Sequence, residues 1–364
     1  MSKIAIDART INSSTGRYVR ELIRELAKLD DQHDYHVIVL KSDGEVEFPD
    51  KLNWHLHRVS YKPYGFGEQL GFALYLYKLR VQLVHFFMPQ RPLLYLKRSV
   101  TTVHDLTLVH YKNRKGSSAL YSLKQLAFKL VLWLGAHQAK AIITPSRYTK
   151  QDLVKWAHIK PNKVTVTYEA AAKLAAATEQ EPVKEAEAPF ILYVGNAFPY
   201  KNLEKLVAAM AALRSDHPKV GLIMVGKTDW FYKQLAKTVA GLELSHVQIL
   251  GFVSDAQLEW LYRHAKVYVF PSLSEGFGLP GLEAMQHDLP VAASRATSLP
   301  EIYGEAAHYF DPNDAGDIAR ALKEILDDEQ LAKRLVKAGQ QQLAKYSWSK
   351  MAEQTLAVYN KVLN

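Results

Sequence analysis

The sequence predicts an α/β protein built from two doubly wound domains with parallel sheets, and three observations lead to this fold class. The chain has 364 residues, which is too long for one ordinary core and suits two domains of roughly 100–200 residues each. Short β-rich runs alternate with longer stretches of helical periodicity, a pattern typical of parallel sheets covered by helices. The alternation stops near residue 170 and restarts near residue 190, which indicates a domain boundary.

The first half contains alternating predicted strands and helices. The short β-rich runs are read as strands, and the longer stretches with helical periodicity as helices. Strands are predicted at 3–9, 35–41, 54–60, 81–87, 99–104, 140–144 and 163–168, and helices at 16–29, 67–80, 117–137 and 147–156. Residues 1–170 therefore form the predicted first domain.

Residues 171–188 lose all strand character and become rich in Ala and Glu, so we predict a linker there. The alternation then becomes more regular through the predicted second domain, residues 189–345. Its strands are predicted at 190–194, 220–225, 247–250, 267–270 and 290–293, its helices from 202 onward and at 229–240, 255–265 and 279–286, with a short loop segment after 293. Residues 315–364 are almost all helical, and 346–364 are predicted to pack back on the first domain.

Composition excludes several classes of protein. With 48% hydrophobic and 23% charged residues the chain is neither collagen-like nor disordered, and without cysteine it has no disulfide, thiolate metal site or thiol nucleophile. No export signal is expected, and the longest strongly apolar stretch, residues 130–136, is far shorter than the roughly 18–20 residues of a membrane span.

The net charge of +9 comes entirely from the first half of the chain. Residues 1–170 carry 26 Lys and Arg against 14 Asp and Glu, whereas residues 171–364 carry 20 against 23. A basic half of this kind suits an anionic partner, either nucleic acid, an acidic lipid surface or a phosphorylated substrate.

The most informative segment is residues 271–285, which follow a predicted strand. Gly276 and Gly278 allow the backbone to approach a ligand closely, and Pro280 is typical of a helix start. Amide donors at such a start suit a phosphate, and the carboxylates of Glu275 and Glu283 suit sugar hydroxyls. The alternative is that Glu283 only caps the helix and Glu275 is an ordinary surface residue.

This segment, E-G-F-G-L-P-G-L-E-A-M, resembles the signature of the retaining, nucleotide-sugar-dependent glycosyltransferases of family four. The resemblance covers nearly the whole chain. It implies the GT-B fold, two tandem Rossmann-like domains facing a central cleft, with the acceptor on the first domain and the nucleotide sugar on the second. It also implies that Glu275 contacts the donor sugar and that Glu283 binds the ribose.

Other segments extend the resemblance. In Y-V-G-N-A-F-P-Y-K-N-L, Lys201 stands where the family neutralises the donor diphosphate, but Asn196 follows Gly195 where many members have Arg. Lys227 or Arg295 would be the compensating cation. His104 ends a strand where the family has a histidine beside the donor sugar, with His85 and His110 as competitors.

Two loops complete the expected site. Gly16 opens a helix in a polar loop that suits backbone donation to phosphate, and the backbone near Val253 resembles the stretch that contacts the base. Together we assign catalytic roles to His104, Glu275 and Lys201, and donor or nucleotide binding to Gly16, Gly195, Asn196, Lys201, Val253, Glu275, Gly276, Phe277, Gly278, Leu279 and Glu283.

The resemblance implies transfer of a hexose from a nucleoside diphosphate sugar, with GDP-mannose expected first and a UDP-sugar second, to a saccharide or lipid-linked saccharide. Lys201 and helix amides would stabilise the leaving diphosphate, so no metal and no other cofactor is expected, and no clustered Asp, His and Cys ligand set is apparent. The alternatives are a nucleotide-sugar 2-epimerase of the same fold and a non-catalytic basic module that binds membrane or nucleic acid; no nucleic-acid motif is present.

Aromatic and cationic residues interleave in the basic half. One interpretation is a cationic amphipathic helix on an anionic membrane, and the other is a core-facing apolar stripe with a solvated charged face. The first predicts a cytoplasmic enzyme, peripheral on the inner leaflet, with a lipid-linked acceptor. The residues concerned are Tyr61, Lys62, Tyr64, Phe66, Phe72, Tyr75, Tyr77, Lys78, Arg80, Lys112, Arg114, Lys115, Lys124, Phe128, Lys129 and Trp133.

Overall fold

The computed structural model describes residues 1–13, 15–111, 119–171, 181–183, 186 and 189–364. Contacts divide the chain into two compact units. The first consists of Met1–Val109, the described part of Arg114–Glu169, and Ser347–Asn364. The second consists of Ala170–Tyr346 and the described part of His110–Asn113. Most of the predicted linker, residues 171–188, lies outside the described residues.

The first unit is built on a seven-stranded parallel sheet with strand order β3-β2-β1-β4-β5-β6-β7. Its strands are β1 Lys3–Asp7, β2 Asp34–Leu40, β3 Trp54–Val59, β4 Leu83–Phe86, β5 Ser99–Thr102, β6 Ala141–Thr144 and β7 Val164–Val166. Its helices are α1 Gly16–Leu29, α2 Ala73–Leu79 preceded by a π-helical turn at Glu68–Phe72, α3 Thr107–His110, α4 Ala119–Gln138, α5 Arg147–Ala157 and α13 Trp348–Leu363.

Apolar side chains cover both faces of this sheet. In β1, Ile4 and Ile6 join one hydrophobic cluster, and Ala5 between them joins another on the opposite face. Because both faces are buried, the strands read as almost continuous apolar runs rather than as alternating ones. These apolar runs explain why the strands of the first unit could be predicted from the sequence.

The last helix, α13, completes the core of the first unit. Met351, Ala352 and Tyr359 are fully buried in the same cluster as Tyr18 and Leu22 of α1. The hydroxyl of Tyr359 also lies 2.6 Å from Nδ1 of His85 in β4. The first unit is therefore discontinuous in sequence.

The second unit has a six-stranded parallel sheet with strand order β10-β9-β8-β11-β12-β13. Its strands are β8 Phe190–Val194, β9 Gly221–Val225, β10 Val247–Gly251, β11 Val267–Phe270, β12 Val291–Ser294 and β13 Ala307–Phe310. Its helices are α6 Leu203–Leu213, α7 Trp230–Gly241, α8 Asp255–His264, α9 Leu279–Gln286, α10 Leu299–Tyr303, α11 Ala315–Asp327 and α12 Glu329–Leu343. The short loop segment predicted after the fifth strand is present at residues 295–298, but α10 and β13, which follow it, were not predicted.

The strand order of the second sheet reverses between β8 and β11. In open α/β sheets, ligands bind outside the carboxyl ends of the strands at such a switch point. The loops that follow β8 and β11 are the two that carry Lys201 and Glu275. The topology therefore places the predicted donor residues where this kind of sheet binds ligands.

Within the described residues, no helix combines the length and the apolar character needed to cross a membrane.

Candidate active site

Two polar contacts join the loops after β8 and β11, and a third joins the first of these loops to the loop after β13. The amide of Leu273 donates to the carbonyl of Tyr200 at 2.7 Å. The side-chain amide of Asn202 donates to the carbonyls of Pro271 at 3.1 Å and Pro312 at 2.7 Å. These bonds hold the two loops as one rigid base for the charged groups above them.

Lys201 and Glu275 form an ion pair at this base. The ammonium Nζ lies 2.5 Å from Oε1 of the carboxylate, and the two side chains are only 12% and 14% exposed. The same ammonium lies 5.3 Å from the ring centre of Tyr200 and 5.4 Å from that of Phe270. The cation is therefore held in a partly desolvated place, where it acts on a nearby anion more strongly than it would in water.

The backbone of Glu275 is fixed from the loop after β12. Its amide donates to Oγ1 of Thr297 at 3.0 Å, and its carbonyl accepts a hydrogen bond from the hydroxyl of Ser298 at 2.9 Å. Ser298 is fully buried. The loop after β12 thus positions Glu275 from its backbone.

Among the described residues, no side chain caps the amino end of α9. Its N-cap is Gly278, with φ +110°, a conformation that favours glycine. The hydroxyl of Tyr303 donates to the carbonyl of Gly278 at 2.6 Å, and a Cβ atom on Gly281 would lie 2.3 Å from that hydroxyl. Phe277 is buried, and Gly276 is buried beside it. The helix start presents backbone rather than side chains, which is the arrangement that suits an anion.

Glu283 lies in the middle of α9 and is 3% exposed. The hydroxyl of Tyr262 donates to its carboxylate at 3.2 Å. Since Glu283 is the fifth residue of this helix, it is too far along to cap it, and the capping alternative is wrong. A buried carboxylate with a hydroxyl partner retains acceptor capacity for a further hydroxyl group.

The turn after β8 is stabilised by its own polar groups. The amide of Gly195 donates to the carbonyl of Val225 at 2.9 Å. Oδ1 of Asn196 accepts a hydrogen bond from the amide of Phe198 at 3.2 Å, and its carbonyl accepts one from the hydroxyl of Tyr193 at 2.7 Å. Asn196 therefore shapes the turn.

The other expected contributors lie on neighbouring loops of the second unit. Val253 is half-buried between β10 and α8. Lys227 is exposed after β9, while Arg295 is exposed after β12 with its guanidinium 5.0 Å over the ring of Tyr309. Neither cation has a described contact with Lys201 or Glu275.

His104 belongs to the first unit and stands two residues after β5. Its Nδ1 lies 3.2 Å from Oε1 of buried Glu169, and its ring packs edge-on against Tyr18 with centroids 4.8 Å apart. Nε2 of His104 has no hydrogen-bond partner among the residues that the structure describes. The ring is thus oriented from one side and has an unused nitrogen on the other.

His85, the competitor of His104, is fully buried with both ring nitrogens in contact. Nδ1 lies 2.6 Å from the hydroxyl of Tyr359, and Nε2 lies 2.8 Å from that of Thr102. Burial, with the charge of His104 as a second cause, lowers the pKa of His85 to about 3. His85 therefore joins β4 to α13 as a neutral core residue. His110 is exposed at the end of α3.

Gly16 is required by packing at the start of α1. A Cβ atom there would lie 1.9 Å from the carbonyl oxygen of Ile11. Its amide donates to the carbonyl of Ser13 at 2.9 Å. The amide expected to serve a phosphate thus already has a partner in its own loop.

Several positioning residues escaped the sequence analysis. Glu169 orients His104, Thr297 holds Glu275, Tyr262 contacts Glu283, and Tyr303 supports Gly278. Each lies far along the chain from its partner, so neither spacing nor periodicity links the two. The one signal that could have identified two of them is their place after a strand, because Glu169 and Thr297 both stand three residues after a strand ends.

Comparisons with known proteins agree with this architecture. The family model "Glycosyltransferase Family 4" matches residues 15–170, and the model "Glycosyl transferases group 1" matches residues 176–342. The O-antigen chain mannosyltransferase B of Escherichia coli is 31% identical over 294 residues, which cover 76% of this chain and 72% of that protein.

A second relative is similar to part of this chain, and a solved structure is similar to all of it. The O-antigen chain mannosyltransferase RfbU of Salmonella typhimurium is 28% identical over 231 residues, 63% of this chain and 61% of that protein. The sucrose-phosphate synthase of Thermosynechococcus elongatus superposes with a TM-score of 0.78 over 100% of this chain and 99% of that one. Its sequence identity is 22%, so this likeness shows the shared GT-B fold alone.

Proposed function

This chain belongs to the family 4 glycosyltransferases, and from that premise we propose that it moves a hexose from a nucleoside diphosphate sugar to a saccharide or lipid-linked saccharide with retention of configuration. The observation that carries the proposal is the Lys201–Glu275 pair at the β8–β11 switch point, beside an α9 start without a side-chain cap. An ammonium and helix amides suit a diphosphate. The carboxylates of Glu275 and Glu283 suit the hydroxyls of the sugar and the ribose.

In the proposed step, the bond between the anomeric carbon and the diphosphate oxygen breaks as the acceptor oxygen bonds to the same face of that carbon. The acceptor proton passes to the leaving phosphate oxygen, so no separate base is needed. Lys201 stabilises the negative charge that develops on the diphosphate. Because Glu275 pairs with Lys201, the arriving diphosphate takes over the charge of the lysine and frees the carboxylate for the sugar.

The proposed donor is GDP-mannose, with a UDP-sugar as the second candidate. Both relatives described above are named mannosyltransferases, which supports a mannosyl donor. Thermal unfolding with GDP, UDP and ADP side by side tests the base. A ligand at about 100 times its dissociation constant stabilises the native state by about 2.7 kcal/mol, so the best-bound base gives the largest rise in Tm.

The direct test of the activity is release of nucleoside diphosphate from a panel of nucleotide sugars with saccharide acceptors. Lys201→Ala and Glu275→Ala should lose the activity, while their circular dichroism spectra stay those of the wild type. The substitution Glu283→Gln, which keeps the shape of a buried side chain, should weaken nucleotide binding. Full activity in all three variants would contradict the assigned site.

We also propose that the first unit binds an anionic membrane surface, and an apolar stripe on α4 supports this. The helix exposes four large apolar side chains at spacings of three and four, on the outside of the first unit rather than in its core. These are Leu123, Leu126, Leu130 and Trp133, which are 63%, 65%, 55% and 39% exposed. Monomeric proteins rarely expose contiguous apolar patches of this kind without a partner.

A basic hollow adjoins the end of this stripe. The ring of Trp133 lies 4.0 Å from that of His137, and His137 lines the hollow together with the cationic side chains of Arg98, Lys140, Lys160, Lys163 and Lys361. An apolar stripe beside clustered cations is what an anionic lipid surface binds. Three cations of the basic half that the sequence analysis named, Lys112, Arg114 and Lys115, lie outside the described residues.

Co-sedimentation with vesicles of anionic and of neutral phospholipid tests this surface. We expect the wild type to bind anionic vesicles at low salt and the double variant Leu126→Gln/Leu130→Gln to bind about tenfold more weakly, since each leucine loses apolar burial. Leu242→Gln, at a leucine of similar exposure in the second unit, 50%, is the matched control. Failure of the wild type to bind at low salt would refute the membrane proposal and leave the transferase proposal intact.

A further inference from the structure

Four polar side chains share one face at the edge of the first sheet. β2 carries Asp34 and His36, and the edge strand β3 carries His55 and His57, each pair separated by one residue. Alternate residues of a strand point to the same face. The parallel register then sets His36 opposite His55, which brings three imidazoles and a carboxylate together.

The distances within this group fit a small cation. Nε2 of His55 lies 2.7 Å from Oδ1 of Asp34, and Nε2 of His36 lies 3.5 Å from Oδ2 of the same carboxylate. One such atom from each of the three residues lies within 4.8 Å of the others. Ligands about 2.0–2.1 Å from a tetrahedral zinc ion stand about 3.3 Å from one another, so little movement is needed to enclose one.

His36 supplies an independent observation that points to a ligand. Its side chain is 10% exposed, and its Nε2 has no hydrogen-bond partner among the described residues. Its other nitrogen, Nδ1, lies 2.9 Å from Nε2 of His57, and Nδ1 of His57 lies 2.9 Å from the hydroxyl of Tyr75. With the proton of His36 on Nδ1, donated to His57, the lone pair of Nε2 faces the carboxylate. Metal-binding histidines are oriented by such an outer hydrogen bond.

We propose that Asp34, His36 and His55 form a zinc-binding site, with His57 and Tyr75 as positioning residues. Two imidazoles and a carboxylate are a ligand set that zinc accepts, and His55, whose side chain is 44% exposed, leaves the fourth position open to water. Asp34 begins β2 and His55 is the second residue of β3, so the site lies at the amino ends of the strands. The site is therefore away from the carboxyl ends of the strands, where sheets of this kind bind ligands, and the ion ties the edge strand to its neighbour.

Lys3 is the one described cation that competes for Asp34. Its Nζ lies 4.0 Å from Oδ2, and its side chain is 50% exposed. A surface pair of this length contributes little, so the lysine can move aside when a divalent ion arrives.

No local pattern in the sequence predicted this ligand set, because its residues stand on two strands. Asp34 and His36 are separated from His55 by an extended loop and the rest of β2. The overlooked signal was the alternation D-Y-H at residues 34–36, where β2 begins, and H-L-H at residues 55–57 in β3.

The test uses the tag-free full chain after removal of metal, titrated with zinc chloride alone in a calorimeter and with cobalt chloride in a spectrophotometer. We expect one equivalent of zinc to bind, a higher Tm with zinc, and intense visible absorption from cobalt in a low-symmetry four-coordinate site. The substitution His55→Gln, at a partly exposed position that should not disturb folding, should weaken zinc binding by at least about tenfold and abolish the cobalt bands. Tyr75→Phe should weaken binding by about tenfold as an outer-shell change.

The control is His264→Gln, at an exposed histidine of the second unit, which should bind zinc like the wild type. The proposal is overturned if the wild type takes up no stoichiometric zinc, or if His55→Gln binds zinc as tightly as the wild type does. Either result would leave the cluster as a hydrogen-bonded edge of the sheet.

Discussion

At the scale of single residues, the ion pair of Lys201 with Glu275 determines how the lysine can bind the proposed diphosphate. Its charge is already neutralised by Glu275 in a place where both side chains are largely buried. A diphosphate must therefore bind the Lys201 ammonium more strongly than the carboxylate does. A doubly charged group with several acceptor oxygens can do so. The ion pair keeps the lysine in position until the donor arrives.

The first prediction concerns this lysine. Lys201→Ala should lower kcat/KM by about 10²–10³, the usual effect of removing one preorganised stabiliser of developing negative charge. The measurement is steady-state release of nucleoside diphosphate, with Tm recorded for the same preparations. Lys237→Ala, at an exposed lysine of α7, is the control and should behave as the wild type. A loss below threefold would show that another cation holds the diphosphate.

The second prediction separates the reaction from the proposed zinc site. If Lys201 and the α9 amides stabilise the leaving group, a chelator should leave initial rates at 25 °C within about twofold of the untreated enzyme. The same chelator should lower Tm if zinc ties β3 to β2, because the ion stabilises only the folded state. Rates that collapse with EDTA and return with added magnesium would contradict the metal-independent mechanism.

The third prediction follows from His85. Its pKa is about 3 in the folded chain and about 6.5 in an unfolded one, so between these values only the unfolded state binds the proton. Stability is therefore complete above about pH 6.5 and falls as the pH is lowered toward 3, by up to about 1.4 kcal/mol per unit from this group. Urea unfolding at pH 7, 6 and 5 measures the slope.

In the variant His85→Gln the slope over this range should be smaller, because glutamine does not titrate. His264→Gln, at an exposed histidine, should keep the wild-type slope. Equal slopes in the wild type and His85→Gln would show that His85 is not held neutral by its burial.

At single residues, the sequence predictions rested on polar side chains that stand just after strands. Lys201 and Glu275 both follow strands, and the structure brings them into contact. By contrast, Glu169 was missed because 65 residues separate it from His104, and no local pattern reports a contact across that separation. Gly16 was assigned to phosphate, although its amide is used within its own loop.

At the scale of elements, the apolar runs predicted all seven strands of the first sheet. Strands that are buried on both faces form nearly continuous apolar runs, which are easy to recognise in a sequence. Helix α1 was predicted at 16–29 and is Gly16–Leu29. β13 was missed because its two middle residues, His308 and Tyr309, are half-buried and break the alternation expected of a strand. α10 has five residues, too few to establish a helical period.

The fourth prediction concerns the packing of α9 against Tyr303. In Gly281→Ala the new methyl would lie 2.3 Å from the tyrosine hydroxyl, so either the ring or the helix must move. Overpacking of this kind costs about 1–3 kcal/mol, which urea unfolding can measure. The movement should also weaken nucleotide binding, since Tyr303 supports the α9 start.

Gly241→Ala is the matched control, because no atom lies within 4 Å of a Cβ built there. It should be neutral or stabilise the chain by up to about 1 kcal/mol. Equal effects of the two substitutions would show that Tyr303 does not restrict α9.

At the scale of the whole molecule, the fifth prediction tests the discontinuity of the first unit. Met351 is fully buried in the core that α13 shares with α1, and Met351→Ala should cost about 2–5 kcal/mol. Calorimetry should show a lower transition for the first unit only. Lys361→Ala, at an exposed position of α13, should leave both transitions unchanged. A shift confined to the second unit would contradict the assignment of α13.

The placement of α13 also sets an order of events during synthesis. Ribosomes make the strands of the first unit early, but the residues from Ser347 onward that close its core emerge after nearly all of the second unit. Until α13 is synthesised, Tyr18 and Leu22 of α1 lack the α13 side chains that they pack with in the folded unit. The half of the protein that is translated first is thus completed last, and a nascent chain stalled before Ser347 would expose the apolar face of α1 that α13 covers.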